Sequence, residues 1–204
     1  MEMTFPRLML VTQSSLMQPD WNAALEAALV GGARLIQLRE KDISGEELVS
    51  LATAAKELCE RYNANLVINS EIEIARALGV GVHLREAQSV AQARAILGAD
   101  FLVGQSVHSL ETARHAEQEG CNYLVFGSVF PTLTHPEGTP AGLEALAQLK
   151  DKISIPVLAI GGITPQNTGQ CLEKGAHGVA VIRAVWSAPD VGMATCNFLT
   201  ATRF

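Results

Sequence analysis

Eight short apolar runs, each followed by a stretch of helical periodicity, predict an α/β chain closed into one (β/α)8 TIM barrel. Three observations carry this expectation. Strand and helix alternate along the whole 204-residue chain, with no linker, charge block or low-complexity tract between units. The apolar runs lack the polar alternation of a half-wet strand, so both faces are covered, as in a parallel sheet flanked by helices. The loop after the first run reads Val11-Thr12-Gln13-Ser14-Ser15; the competing architecture, an open Rossmann or flavodoxin-like sheet, calls for glycines at that turn.

Taken in order, the strands are expected over 8–11 (LMLV), 35–38 (LIQL), 66–68 (LVI), 81–84 (GVHL), 101–103 (FLV), 123–126 (YLVF), 157–160 (VLAI) and 178–182 (GVAVI). The helices between and after them fall over 21–30, 45–62, 72–78, 89–97, 110–119, 142–150, 165–174 and 189–202. A barrel of this type typically takes about 250 residues, so the loops on the bottom face must be short. The seventh unit is the most informative. Residues 155–160 run without a polar residue into Gly161 and Gly162, which bend the backbone and admit a ligand without a Cβ clash. Thr164 and Pro165 then read as N-cap and first residue of the next helix, whose free N–H groups suit a phosphate.

Composition excludes several classes. With 48% hydrophobic and 18% charged residues the chain is not disordered, and no apolar run reaches the length of a membrane span. A net charge of −6 argues against a nucleic-acid surface. The N-terminus MEMTFPRLMLVTQ has one positive charge and an apolar patch shorter than a signal-peptide core, so a cytoplasmic location is expected. Cys59, Cys121, Cys171 and Cys196 have no metal-ligand spacing and read as small buried hydrophobes.

In a barrel, residues at the C-terminal ends of the strands build the site, with phosphate over strands seven and eight. That rule gathers Gly161, Gly162, Ile182 and Arg183 around one phosphate; a surface cation paired with a carboxylate is the competing reading of Arg183. After strand two, Gln37, Arg39 and Lys41 alternate and so point to one side. Asn69 and Ser70 follow strand three, His83 ends strand four, and Ser106 and His108 follow strand five. Ser128, Thr132, Thr134 and His135 follow strand six. His115 and His177, off the strand ends, read as structural.

These residues, in this order, resemble the family of thiamine phosphate synthase and the TenI-type thiazole tautomerase. Gln37-Leu38-Arg39-Glu40-Lys41 is similar to its Q-x-R-x-K, Ile68-Asn69 to its I-N, and Gly81-Val82-His83-Leu84 to its G-V-H-L. The stretches that begin at Gly127 and Ala159 are similar to its G-P-V-F-P-T-x-T and A-I-G-G-I. The resemblance implies a thiazole phosphate ligand held by Gln37, Arg39, Lys41, Asn69, His83, Ser106, Ser128, Thr132 and Thr134, and a dimer or larger homo-oligomer. A synthase of this family joins that ligand to a pyrimidine methyl diphosphate, expelling pyrophosphate with Mg²⁺ held by two Asp. Those positions are Ser70 and Gln88 here, His135 stands in place of a pyrophosphate-contacting Lys, and Arg183 in place of the usual Ser. Loss of both carboxylates points to the tautomerase branch, a proton transfer that needs no metal or other cofactor. The His that this branch uses as base is Ser128 here, which leaves His135 as the expected proton shuttle, ahead of His108 and His83. A synthase with a degenerate Mg²⁺ site and a non-catalytic phosphate-binding module are the alternatives.

Overall fold

The computed structural model describes residues 5–43, 45–132 and 139–203. Its strands are β1 (Leu8–Val11), β2 (Leu35–Leu38), β3 (Asn65–Asn69), β4 (Gly81–Leu84), β5 (Val103–Val107), β6 (Tyr123–Gly127), β7 (Val157–Ile160) and β8 (Gly178–Val181). Each pairs in parallel with the next, and β8 pairs back to β1, so the barrel closes without an edge. The helices that return the chain are α1 (Trp21–Val30), α2 (Gly45–Arg61), α3 (Ile72–Leu78), α4 (Val90–Leu97), α5 (Leu110–Gln118), α6 (Gly142–Ala147) and α7 (Pro165–Glu173). After β8 come a short α8 (Arg183–Trp186) and α9 (Val191–Ala201). None of the described helices is long and apolar enough to cross a membrane.

Helix starts are set by side-chain caps that satisfy otherwise orphaned N–H groups. Asp20, Ser89, Ser109, Thr164 and Asp190 each accept a backbone N–H of the first turn of α1, α4, α5, α7 and α9. Apolar side chains fill two regions. One lies between the sheet and its helices, and a second, with Met9, Val67, Tyr123 and Leu158, fills the barrel itself. The barrel interior is therefore filled by side chains.

Two differences from expectation bear on the site. β5 lies four residues further along than the run 101–103 suggests at its far end, because Gly104-Gln105-Ser106 completes the ladder between β4 and β6. Glycine at 104 makes room for Tyr123: a Cβ there would stand 2.0 Å from the Tyr123 ring. Ser106 consequently belongs to the strand. The span expected as loop between strand eight and the last helix also carries a turn of helix, α8. Trp186 is buried and donates its indole N–H to the Val11 carbonyl at 2.7 Å, which pins α8 over the end of β1 before Asp190 caps α9.

Three of the four cysteines are buried as expected, and burial pushes the thiols of Cys59 and Cys121 up to about 12 and that of Cys171 to about 11. Cys196 is exposed. It lies on α9 beside the inward-facing Thr195 and Phe198, and its only hydrogen bond among the described residues goes to the Gly31 carbonyl. The histidines off the strand ends do structural work: His177 bonds the Phe5 carbonyl at 2.8 Å, and His115 pairs with Glu119 on the surface of α5.

Replacing Gly104 by Ala forces the Tyr123 ring out of its seat. Overpacking of this kind is expected to lower stability by about 3 kcal/mol, read from denaturant unfolding of Gly104→Ala against the parent chain.

Candidate active site at the barrel mouth

Side chains at the C-terminal strand ends surround a cavity of about 1100 Å³. Gln37, Arg39, Lys41, Asn69, His83, Ser106, Ser128, Thr132, Gly161, Gly162, Ile182 and Arg183, all expected from sequence, line it. Ser70 and His108 join them. Thr134 and His135 lie outside the described residues.

The wall from β2 to β5 is polar and held by side-chain bonds. Gln37, almost fully buried, donates its amide to Asn69 Oδ1 at 2.9 Å, and Asn69 donates in turn to Ser70 Oγ at 3.1 Å. Arg39 leaves β2 with its backbone N–H on Thr12 Oγ1 at 3.0 Å. The Thr12 hydroxyl donates to one oxygen of Glu40 at 2.6 Å, and Ser14 N–H donates to the other at 2.8 Å. Glu40 thus clamps the end of β1 to the segment that carries Arg39 and Lys41. Burial lowers the affinity of Arg39 for its proton while Glu40 opposes this, and an arginine remains charged.

His83 sits at the floor, fully buried, with Nδ1 2.9 Å from Tyr123 Oη and Nε2 2.9 Å from Ser106 Oγ. Burial, reinforced by the nearby Arg39 charge, drops its pKa to about 3, so the ring is neutral at working pH. Higher on the wall, Glu86 accepts from the backbone N–H of His108 at 3.0 Å and pairs with its ring at 2.9 Å. Partial burial pushes the Glu86 carboxyl up, but hydrogen bonds from Thr112 and His108 outweigh this and hold it below the usual range.

The wall from β6 to β8 is made of backbone. Gly161 and Gly162 have φ of +99° and +63°, which suit glycine. Their glycine identity serves protein packing as well as ligand approach. A Cβ at Gly161 would meet Ser128, 2.6 Å away, and one at Gly162 would meet the Pro131 carbonyl at 2.4 Å. The loop after β6 folds onto this turn: Val129 N–H donates to the Ile160 carbonyl and Phe130 N–H to that of Gly161. The N–H groups of Gly161 and Gly162 meet no acceptor among the described residues. Asn167 staples the turn from below, accepting from Thr164 N–H at 2.8 Å and donating to the Gly162 carbonyl at 3.0 Å. Arg183, first residue of α8, completes this half of the cavity.

The Mg²⁺ that the family resemblance implies calls for hard carboxylate oxygens. The residues present do not fit it. Ser70 and Gln88 carry no charge, and they are bonded to each other, Gln88 Nε2 donating to the Ser70 carbonyl at 3.1 Å. Gln88 Oε1 accepts from Arg85 N–H, so the amide closes the corner where the carboxylates would stand. Among the described residues no three His, Cys, Asp or Glu gather as a metal-ligand group.

Several contributors escape a strand-end rule. Gln105 points away from the cavity and donates to the carbonyls of Arg85 and Gln88 at 3.0 and 2.6 Å, which fixes the loop after β4. Thr12 and Glu40 act indirectly, their side chains holding the backbone of the segments after β1 and β2, and Tyr123 hides in an apolar run. A glycine inside β5 was the available signal for Tyr123, since a glycine in a strand marks close approach by a neighbour.

The folded protein keeps His83 neutral down to about pH 3, whereas the unfolded chain takes up that proton near 6.5. Between those values the unfolded state binds more protons, so this contribution to stability is complete above 6.5 and declines as pH falls toward 3. The slope is up to about 1.4 kcal/mol per pH unit. Denaturant unfolding across that window is expected to show a shallower slope in His83→Gln than in the parent chain.

Comparison with known proteins agrees with the architecture and the motifs. The family model described as thiamine monophosphate synthase matches residues 8–185. "Putative thiamine-phosphate synthase 2" of Aquifex aeolicus is 39% identical over 181 residues, 88% of this chain and 97% of that protein. The thiamine-phosphate synthase of Clostridium tetani is 35% identical over 196 residues, 95% of this chain and 93% of that one. The solved thiamine phosphate pyrophosphorylase of Pyrococcus furiosus superposes with a TM-score of 0.87 at 34% identity, covering 96% of this chain and 95% of its own. With its motifs in order around a closed eight-stranded barrel, this chain belongs to the thiamine monophosphate synthase family.

Proposed function

We propose that the barrel mouth binds a thiazole phosphate together with a pyrimidine methyl diphosphate and joins them as a thiamine phosphate synthase does. The observation that carries this reading is the division of the cavity into two unlike halves. From β6 to β8 it offers the open N–H groups of Gly161 and Gly162 with Arg183, suited to a phosphate monoester. From β2 to β5 it offers the amides and hydroxyls of Gln37, Asn69 and Ser106, suited to a heteroaromatic edge, under the cations Arg39 and Lys41. A volume of about 1100 Å³ exceeds the needs of one small ring compound. Relatives aligned along nearly the whole chain carry the synthase name, which supports this reading over the tautomerase expected from sequence.

In this mechanism the protein's own groups position two substrates and offset the charge of the departing pyrophosphate. Arg39 and Lys41 line the cavity with Arg85, and fixed cations in a partly water-excluded site strengthen as charge develops on a leaving group. His83, neutral and bonded at both nitrogens, holds position rather than shuttling protons. The tautomerase reading keeps one specific support, the uncharged Ser70–Gln88 corner, which suits a reaction without metal.

Turnover separates the readings. Thiazole phosphate and pyrimidine methyl diphosphate are supplied with Mg²⁺ or with chelator, and the non-aromatic thiazole isomer is supplied alone. The expected result is product and pyrophosphate from the pair, with a loss of at least about tenfold in Arg39→Ala. Aromatisation of the single substrate without condensation would establish the tautomerase. Binding with neither reaction would leave a ligand-binding module.

A further inference from the structure

His83 is bonded through both ring nitrogens, and a neutral imidazole has one N–H and one lone pair. Two arrangements satisfy the distances. In the first, Tyr123 O–H donates to Nδ1 and His83 Nε2–H donates to Ser106 Oγ. In the second, both bonds reverse, and the Tyr123 hydroxyl hydrogen is left without an acceptor. That hydroxyl is enclosed in the barrel interior, and His83 is its only hydrogen-bond partner among the described residues. Buried O–H groups take partners, so the first arrangement wins. The phenol itself stays protonated, because burial pushes its ionisation well above the ordinary range.

Ser106 is the end of this chain of bonds. With its oxygen already accepting from His83, its own hydrogen is released to point elsewhere. Ser106 lines the cavity, and no other described group bonds its hydroxyl. We infer that Tyr123 and His83 are positioning residues that set Ser106 as a hydrogen-bond donor to the bound ligand. The Ser106 hydrogen then favours a ligand that presents a lone pair at that point, an unprotonated ring nitrogen or a carbonyl or phosphoryl oxygen. The glycine at 104 belongs to the same device, since only its missing side chain admits the Tyr123 ring. This inference rests on the proposed reading only in that the cavity receives the two named substrates.

Nitrogen-15 NMR of the ligand-free protein reads the tautomer directly. His83 is expected as the Nε2–H form, unchanged from weakly acid to weakly alkaline pH; an Nδ1–H form or an imidazolium overturns the proposal. Titration calorimetry with each named substrate then tests the donor. For the ligand that Ser106 meets, Ser106→Ala is expected to weaken binding about tenfold and Ser106→Thr to retain it. Tyr123→Phe is expected to weaken the same ligand, and the double variant Tyr123→Phe/Ser106→Ala to lose no more than Ser106→Ala alone. Independent, additive losses overturn the positioning role. A parent chain that binds neither substrate overturns the functional reading instead, and the tautomer alone then decides the lock.

Discussion

Closure of the sheet is the constraint on which the rest of the molecule depends. Each strand is only four or five residues long, too short to hold a sheet on its own, and the ring of parallel ladders makes every strand a central one. The seam between β8 and β1 is correspondingly tight: Gly178 lies so close to the Arg7 carbonyl that a Cβ would come within 2.0 Å of it. Because the ring closes, the strand ends converge on one mouth, and residues far apart in sequence share a cavity. Gln37 and Asn69, 32 residues apart, become hydrogen-bonded neighbours through this geometry alone.

The two halves of the mouth are built by different means, and the difference follows from the local sequence. Between β2 and β5 the strands end in Gln, Asn, His and Ser, whose side chains bond one another and so arrive at the cavity already ordered. Between β6 and β8 the strands end in glycine and small or apolar residues, and the ligand-facing groups are peptide N–H groups. Their order comes from outside the cavity, through the β6 loop lying over Gly161 and the Asn167 staple beneath Gly162. Pre-ordered groups of either kind spare the ligand the entropic cost of arranging them.

Much of this was legible in the sequence, and the exceptions have physical causes. The eight-unit alternation and the Gly161-Gly162 turn are local signals, set by hydrophobic period and by backbone conformation. The extension of β5 through Gly104-Gln105-Ser106 was hidden, because those residues gain their strand conformation from neighbours on both sides rather than from their own propensity. Arg183 was expected to follow β8 as loop, yet it opens a separate turn of helix that Trp186 docks onto β1. The clamp of Thr12 and Glu40, and the pairing of Tyr123 with His83, join residues that no window of sequence contains. A lost charge, by contrast, is visible at once: Ser70 and Gln88 announce an uncharged corner, and only the fold adds that the two bond each other.

The uneven burial of the cysteines gives the chain a built-in reporter of its own integrity. Cys59, Cys121 and Cys171 are sealed between sheet and helices with thiols that resist ionisation, while Cys196 is exposed on α9 and takes no part in the cavity. A thiol-directed reagent therefore meets one accessible thiol on the native barrel and reaches the others only when a helix lifts from the sheet. Counting reacted thiols against time converts three separate places in the wall into local opening rates. The same contrast lets a single dye be placed on α9 with no change to the sequence.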